Sequence, residues 1–342
     1  MSFSLSTTHY SFFIVFFILC TAAKPQEEDD PLLLFASEDL LEMRLEADLE
    51  TFLGDRGGDA DYHDAQVSYT HEGKEYEAKV DIKVRGRFRR DELICRWPPI
   101  RMKVKKKEKS PLLKGQRKIK LVTQCQEQAA VLKEYYLYKT FAMLSPQHFR
   151  VRLVKVEYVD TKGVFQTETQ YGFFIESEKE LGNRLGYEPL DEDIQVRSEE
   201  VNRDQMTLIH IFNYMIANRD FDVLVRQNVK VFSTPDDLPI VIPYDFDWAG
   251  IVNASYTLTR SAKAHPYKKR QRFKKLCRTD AEFQAAIAQF QKIREPLFEM
   301  YKNSPYLDKK SVKETLKYFK LFYRNIGNDK TVQEVFIASC NR

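Results

Sequence analysis

The sequence predicts an α+β protein in which a β-rich half feeds a helical one. Segments that alternate polar and apolar residues crowd the first half, and long stretches of helical period fill the end of the chain. With 342 residues, 43% of them hydrophobic, there is enough apolar material for a large core. A net charge of +4 from 54 basic and 50 acidic residues argues against a dedicated nucleic-acid binder, which would show a stronger imbalance.

The chain opens with an apolar run from Ser11 to Cys20, followed by the small residues Thr21, Ala22 and Ala23. This reads as a signal peptide over 1–23, directing the protein to the periplasm or outside the cell as a secreted product, with lipidation of Cys20 as a membrane-anchoring alternative. The run is shorter than the roughly 18 apolar residues of a transmembrane helix, and no later stretch approaches that length. An acidic linker over 24–36 follows. Cys95, Cys125, Cys277 and Cys340 remain after cleavage, an even number that suits disulfides in an oxidising compartment. Cys95 with Cys125 joins neighbouring strand regions and is the favoured pairing, leaving Cys277 with Cys340.

"SEDLLEMRLEADLETFLGD" from Ser37 reads as a capped helix. Strands are expected at 75–90, 98–107 and 116–125, a helix at "QAAVLKEYYLYKTFAML", and strands again at 149–160 and 164–177. A helix over 203–218 and two long helices after Thr279 complete the chain. The resulting lobes are 37–176, rich in strands, and 177–342, rich in helices.

Within the second, "NVKVF" and "IVIPYDFD" flank the turn-rich "STPDDLP" and predict an antiparallel hairpin. Pairing symmetric about the bond between residues 236 and 237 sets Asn228 opposite Asp245, about 5 Å apart, where an amide and a carboxylate oxygen suit one Mg²⁺ or Mn²⁺ rather than zinc. Asp247, two residues on, shares the face of Asp245 if the strand continues. Asp220, on the loop after a helix, could accept a proton from an incoming hydroxyl. Each residue alone is as readily a turn or helix-end residue; the combination is what points to metal and phosphate.

"VRGRFRR" (84–90), "YGFFIES" (171–177), "NRDFD" (218–222) with Asn228, and "IPYDFDWAG" (242–250) together resemble the CotH-type kinases, spore coat protein H-like atypical protein kinases, in a bacterial extracytoplasmic version. The resemblance implies a two-lobed protein-kinase-like fold and transfer of the γ-phosphoryl group of ATP to a hydroxyl on an exported protein or on the enzyme itself. It implies Asp220 as catalytic aspartate, with Asp222 as the alternative, Asn228 and Asp245 as metal ligands, and Lys120 paired with Glu134 on the phosphates. Lys103 competes for the phosphate role. Arg85 would lie over the nucleotide and Glu176 would contact ribose or adenine. Asp-Phe-Asp stands where ordinary kinases have Asp-Phe-Gly. The basic run at 260–275 suits an acidic protein or another anionic substrate. A pseudokinase-like envelope binding protein without turnover is the alternative function.

Overall fold

A computed structural model describes residue 1 and residues 33–235, 238–257 and 271–341. The first regular element is a strand where a helix is expected. Leu41–Ala47 (β1) buries every second residue, the period of a strand. The helix begins only at Leu49–Gly54 (α1), and its cap is Asp48 rather than Ser37. Pairing decides the matter: β1 runs parallel to Val151–Asp160 (β6), from Leu41 beside Val154 to Ala47 beside Asp160. Long-range pairing overrides local helical propensity here.

His63–His71 (β2), which no expected strand covers, and Lys74–Val84 (β3), which takes the place of the strand expected at 75–90 but ends six residues early, form a hairpin. Its two-residue turn, Glu72 and Gly73, is left-handed at both positions, as such hairpins require. Ile100–Val104 (β4), Lys118–Thr123 (β5) and Glu168–Ile175 (β7) appear where strands are expected. Together they close a seven-stranded barrel in the order β1-β2-β3-β4-β5-β7-β6. Gly172 on β7 is required by close approach, because a Cβ there would lie 2.6 Å from the Val122 carbonyl of β5. The barrel is filled by apolar side chains such as Leu45, Val67, Ile82, Met102 and Phe174.

Gln128–Leu144 (α2) forms as expected and is buried on nearly every side, including Lys133 and Glu134. Glu178–Leu185 (α3), Arg203–Met215 (α4), Asp280–Lys302 (α5), Lys309–Ile326 (α6) and Asp329–Val335 (α7) follow. A second sheet of Glu188–Pro189 (β8), Val229–Ser233 (β9) and Ile240–Pro243 (β10) lies among them, in the order β10-β9-β8. The cysteines pair as favoured, Cys95 with Cys125 and Cys277 with Cys340.

The α+β content stands, but the two-lobed protein-kinase-like fold does not. The strands close into a barrel instead of an open lobe. One apolar core joins the outer face of β6 and β7 (Leu153, Phe173) to α2, α4, β9, β10 and α5 to α7, and Leu32–Arg342 forms one compact unit. A shared core removes the hinge that two lobes would need. The signal peptide, most of the acidic linker and residues 260–270 of the basic run lie outside the described residues. Among the described residues no helix is long and apolar enough to cross a membrane.

Candidate active site

The end of α4 sets the first part of the site. Asn218 is buried and donates its amide to Asn213 Oδ1 at 2.8 Å, while its own Oδ1 accepts the Asp220 N–H at 3.0 Å. This relay fixes the backbone at Asp220 as the chain leaves the helix. The Asp220 carboxylate accepts from Asn228 Nδ2 at 2.8 Å and from Gln227 Nε2, and Asn228 Nδ2 also reaches the Asp220 carbonyl at 2.6 Å. Asp222, the alternative base, is a turn former: it accepts from the Leu224 N–H at 3.0 Å and pairs with Lys274 at 3.0 Å.

The hairpin register differs by one residue from the symmetric expectation. Val229 pairs with Pro243 and Lys230 with Ile242, so Asn228 faces Tyr244, whose N–H donates to the Asn228 carbonyl at 3.1 Å. β10 ends at Pro243, and Asp245 turns left-handed at φ 60°, so Asp245 and Asp247 do not continue one strand face. Four of the six left-handed non-glycine residues among the described residues, Ala217, Arg226, Asn228 and Asp245, fall in this region. Such conformations cost about 1–3 kcal/mol each and persist only where surroundings hold them. At Asp245 the hold is the Tyr138 hydroxyl of α2, which accepts the Asp245 N–H at 2.8 Å.

The site is a cleft of about 1080 Å³ between α2, the segment after β3, and the hairpin. Glu134, Asp220, Asn228, Asp245 and Asp247 line it, and so do Arg85, Arg89, Lys230 and the aromatic Tyr138, Tyr244 and Trp248. Asp247 is buried and accepts from the Tyr256 hydroxyl at 2.9 Å. Burial, with Asp245 beside it and Arg89 opposing, pushes its pKa up to about 8. Glu134 is driven well above the ordinary carboxylate range by burial first, then by Asp247 and Asp245, against Arg89 and Arg85. Both acids are therefore held toward their protonated, uncharged forms.

The expected pair of Lys120 and Glu134 does not form. Lys120 donates to Glu178 of α3 at 3.1 Å and is not a lining residue, whereas Glu134 faces Arg89 at 3.9 Å. Lys133 is buried against Glu314 of α6 at 3.4 Å. Lys103 lies on the barrel exterior with Asp81. The lysine that does line the cleft is Lys230, which also meets Glu178, at 3.3 Å. Glu176 is buried in a two-pronged pair with Arg184 at 2.9 and 2.8 Å, outside the cleft, while its neighbour Ile175 reaches the cleft wall.

Arg89, Lys230, Tyr138, Tyr256 and Asn218 are thus site residues without an assignment from sequence. For Lys230 a signal exists: it stands two residues beyond Asn228, and both line the cleft. Among the described residues no group of three His, Cys, Asp or Glu side chains is disposed to hold a metal ion. No family model matches the chain, and no curated protein matches it.

Proposed function

We propose that the protein transfers the γ-phosphoryl group of ATP to a hydroxyl of an exported protein, or of itself, in the cleft, on a barrel-based scaffold. The observation that carries this is convergence. Each of the four segments behind the resemblance to CotH-type kinases contributes a lining residue to one cleft: Arg85, Ile175, Asp220 with Asn228, and Asp245. The two disulfides support an exported setting.

The donor set fits a hard divalent cation. Asp245 and Asp247 supply carboxylate oxygens and Asn228 an amide oxygen, an all-oxygen set that phosphate and water would complete for Mg²⁺ or Mn²⁺. Burial, then the neighbouring carboxylates, disfavours the ionised forms of Asp247 and Glu134, and a bound cation would favour them. Bound with nucleotide, the ion neutralises charge on the phosphate oxygens. Lys230 and Arg85, both lining the cleft, would attract the phosphates. Asp220, held by Asn228 and Gln227, accepts the proton of the incoming hydroxyl.

The test is thermal melting with ATP and Mn²⁺, on the wild type and on Asp245→Ala, followed by transfer of label from γ-labelled ATP. A ligand that binds only the folded state raises the melting temperature. The expected result is a metal-dependent rise in the wild type, none in the variant, and label in protein. No rise in two well-folded proteins overturns the proposal. A rise without transfer of label leaves the non-catalytic envelope binding protein.

A further inference from the structure

The outward face of β3, β4 and β5 carries an arrangement that sheet energetics disfavour. The inward residues, such as Ile82, Met102 and Ile119, fill the barrel. The outward ones form two rungs across the three strands. In one, Lys83 pairs with Arg101 and Arg101 with Lys120; in the other, Asp81 pairs with Lys103 and Lys103 with Lys118. Like charges directly opposite on neighbouring strands are destabilising. On β1 and β6 opposite charges meet instead, Glu42 facing Lys155 and Arg44 facing Glu157, each joined by an ion pair, although Asp64 faces Asp81 on β2 and β3. Five cations, Lys83, Arg101, Lys120, Lys103 and Lys118, stand on the rungs against Asp81, which Lys103 shares with Lys105, Asp64 opposite it on β2, and Glu178 at Lys120, so positive charge remains in excess.

The two rungs lead into the cleft. Asp81, Lys83 and Arg85 follow one another at the two-residue period of a strand, and Arg85 is a lining residue. From the Asp81 rung to Arg85 is four residues, about 13 Å.

We infer that this face docks an acidic polypeptide segment and that this segment belongs to the phosphoryl acceptor, an inference of substrate class that rests on the proposed phosphoryl transfer. Carboxylates complement the rungs in charge, and an extended segment matches their length. A lipid surface fits less well, because none of the exposed large apolar side chains among the described residues lies on β3, β4 or β5. A nucleic acid would want rings to stack on. β4 and β5 contain no aromatic residue, and the Tyr62 ring beside them is covered by the Lys103 and Lys83 ammonium groups at 5.2 and 5.7 Å. Acceptors should therefore carry acidic residues about four positions from the residue that enters the cleft at Arg85.

The experiment measures fluorescence anisotropy of the intact protein with a labelled serine peptide bearing a glutamate run at that spacing. Its glutamine counterpart, a DNA duplex and phosphatidylserine vesicles serve as competitors. The glutamate peptide should bind, weaken with added salt, and lose about tenfold in affinity to the double variant Lys83→Glu, Lys118→Glu, while Lys83→Arg, Lys118→Arg retains it. Neither lysine lines the cleft, so the thermal shift with ATP and Mn²⁺ should be the same in both variants as in the wild type. Equal binding of the two peptides, an unchanged affinity in the charge-reversed variant, or preference for DNA or vesicles overturns the inference. Because peptide binding needs no nucleotide, failure of the phosphoryl-transfer proposal would show separately, as absence of the thermal shift.

Discussion

The barrel interior and the cleft are built by opposite rules. Inside the barrel, Leu45, Val67, Ile82, Met102 and Phe174 are fully buried and apolar, and antiparallel ladders hold the strands with one parallel closure. In the cleft, Glu134 and Asp247 are buried as acids beside Asp245, and the backbone is left-handed at residues that are not glycine. A fold gains stability where local preference and global packing agree, and chemistry is found where they conflict. The comparison makes quantitative claims about what each region does when altered.

The largest expected effect is on the barrel side. Phe174→Ala removes a ring from a filled interior and should lower stability by about 3–5 kcal/mol. Asp245→Ala, which abolishes the nucleotide-dependent shift, should move stability by no more than about 1 kcal/mol. Chemical denaturation of both variants checks this. Comparable losses would mean that the cleft is part of what holds the fold, and the contrast would break.

The next effect concerns pH, in protein free of divalent cations. Asp247 has a pKa of about 8 folded against 3.8 as the ordinary value. Between these values the folded state keeps a proton that the unfolded chain has released, so stability falls as pH rises, by about 1.4 kcal/mol per unit per proton. His210 acts in the opposite sense. Burial lowers it to about 4 from 6.5, so over that range the unfolded chain binds the extra proton and stability rises with pH. Between about pH 4 and 6.5 the His210 slope offsets that of one acidic proton. Above it the acidic pair declines alone, and the wild type should lose about 2 kcal/mol by pH 8. Glu134 titrates with Asp247, so the decline belongs to both. Asp247→Asn should flatten it, and parallel profiles for the two proteins would refute the assignment.

What was legible in the sequence follows the range of the interaction. α2, the hairpin and both disulfides rest on local period or spacing, and the structure contains them. The midpoint of the linker does not set the hairpin register, which differs by one residue: Asn228 faces Tyr244 instead of Asp245. Barrel closure depends on β1 pairing with β6, from Leu41 to Val154, and no local signal shows a contact between segments so far apart in the chain. The partner of Lys120, Glu178, sits on α3, a short helix whose Ser177 and Glu180 capping box is a local signal, but its contact with a strand 58 residues earlier is not. Arg89 is one of four arginines in "VRGRFRR", and only packing singles it out as the one against Glu134. The candidate carboxylates themselves were legible, because Asp and Asn are rare choices beside half-buried strands.

The smallest effect on stability tests the cleft side most directly. Tyr138 packs its ring on Phe246 at 4.8 Å and Phe173 at 5.5 Å, between ring centroids, and its hydroxyl accepts the N–H of Asp245. Tyr138→Phe keeps the ring and removes the acceptor. Asp245 is only partly buried, so its N–H can turn to water, and the loss of stability should be about 1 kcal/mol or less. The left-handed backbone at Asp245, however, loses the contact that fixes it. A carboxylate that must be re-ordered on binding holds its ligand more weakly, so affinity for ATP with Mn²⁺ should fall about tenfold, equivalent to about 1.4 kcal/mol. Calorimetric titration set beside the denaturation midpoint gives both numbers on one variant. If affinity falls no further than stability does, the hydroxyl is merely one more packing contact, and the strain at Asp245 plays no part in binding. If affinity alone falls, α2 serves two purposes, filling the core with its rings and fixing the cleft with one hydroxyl.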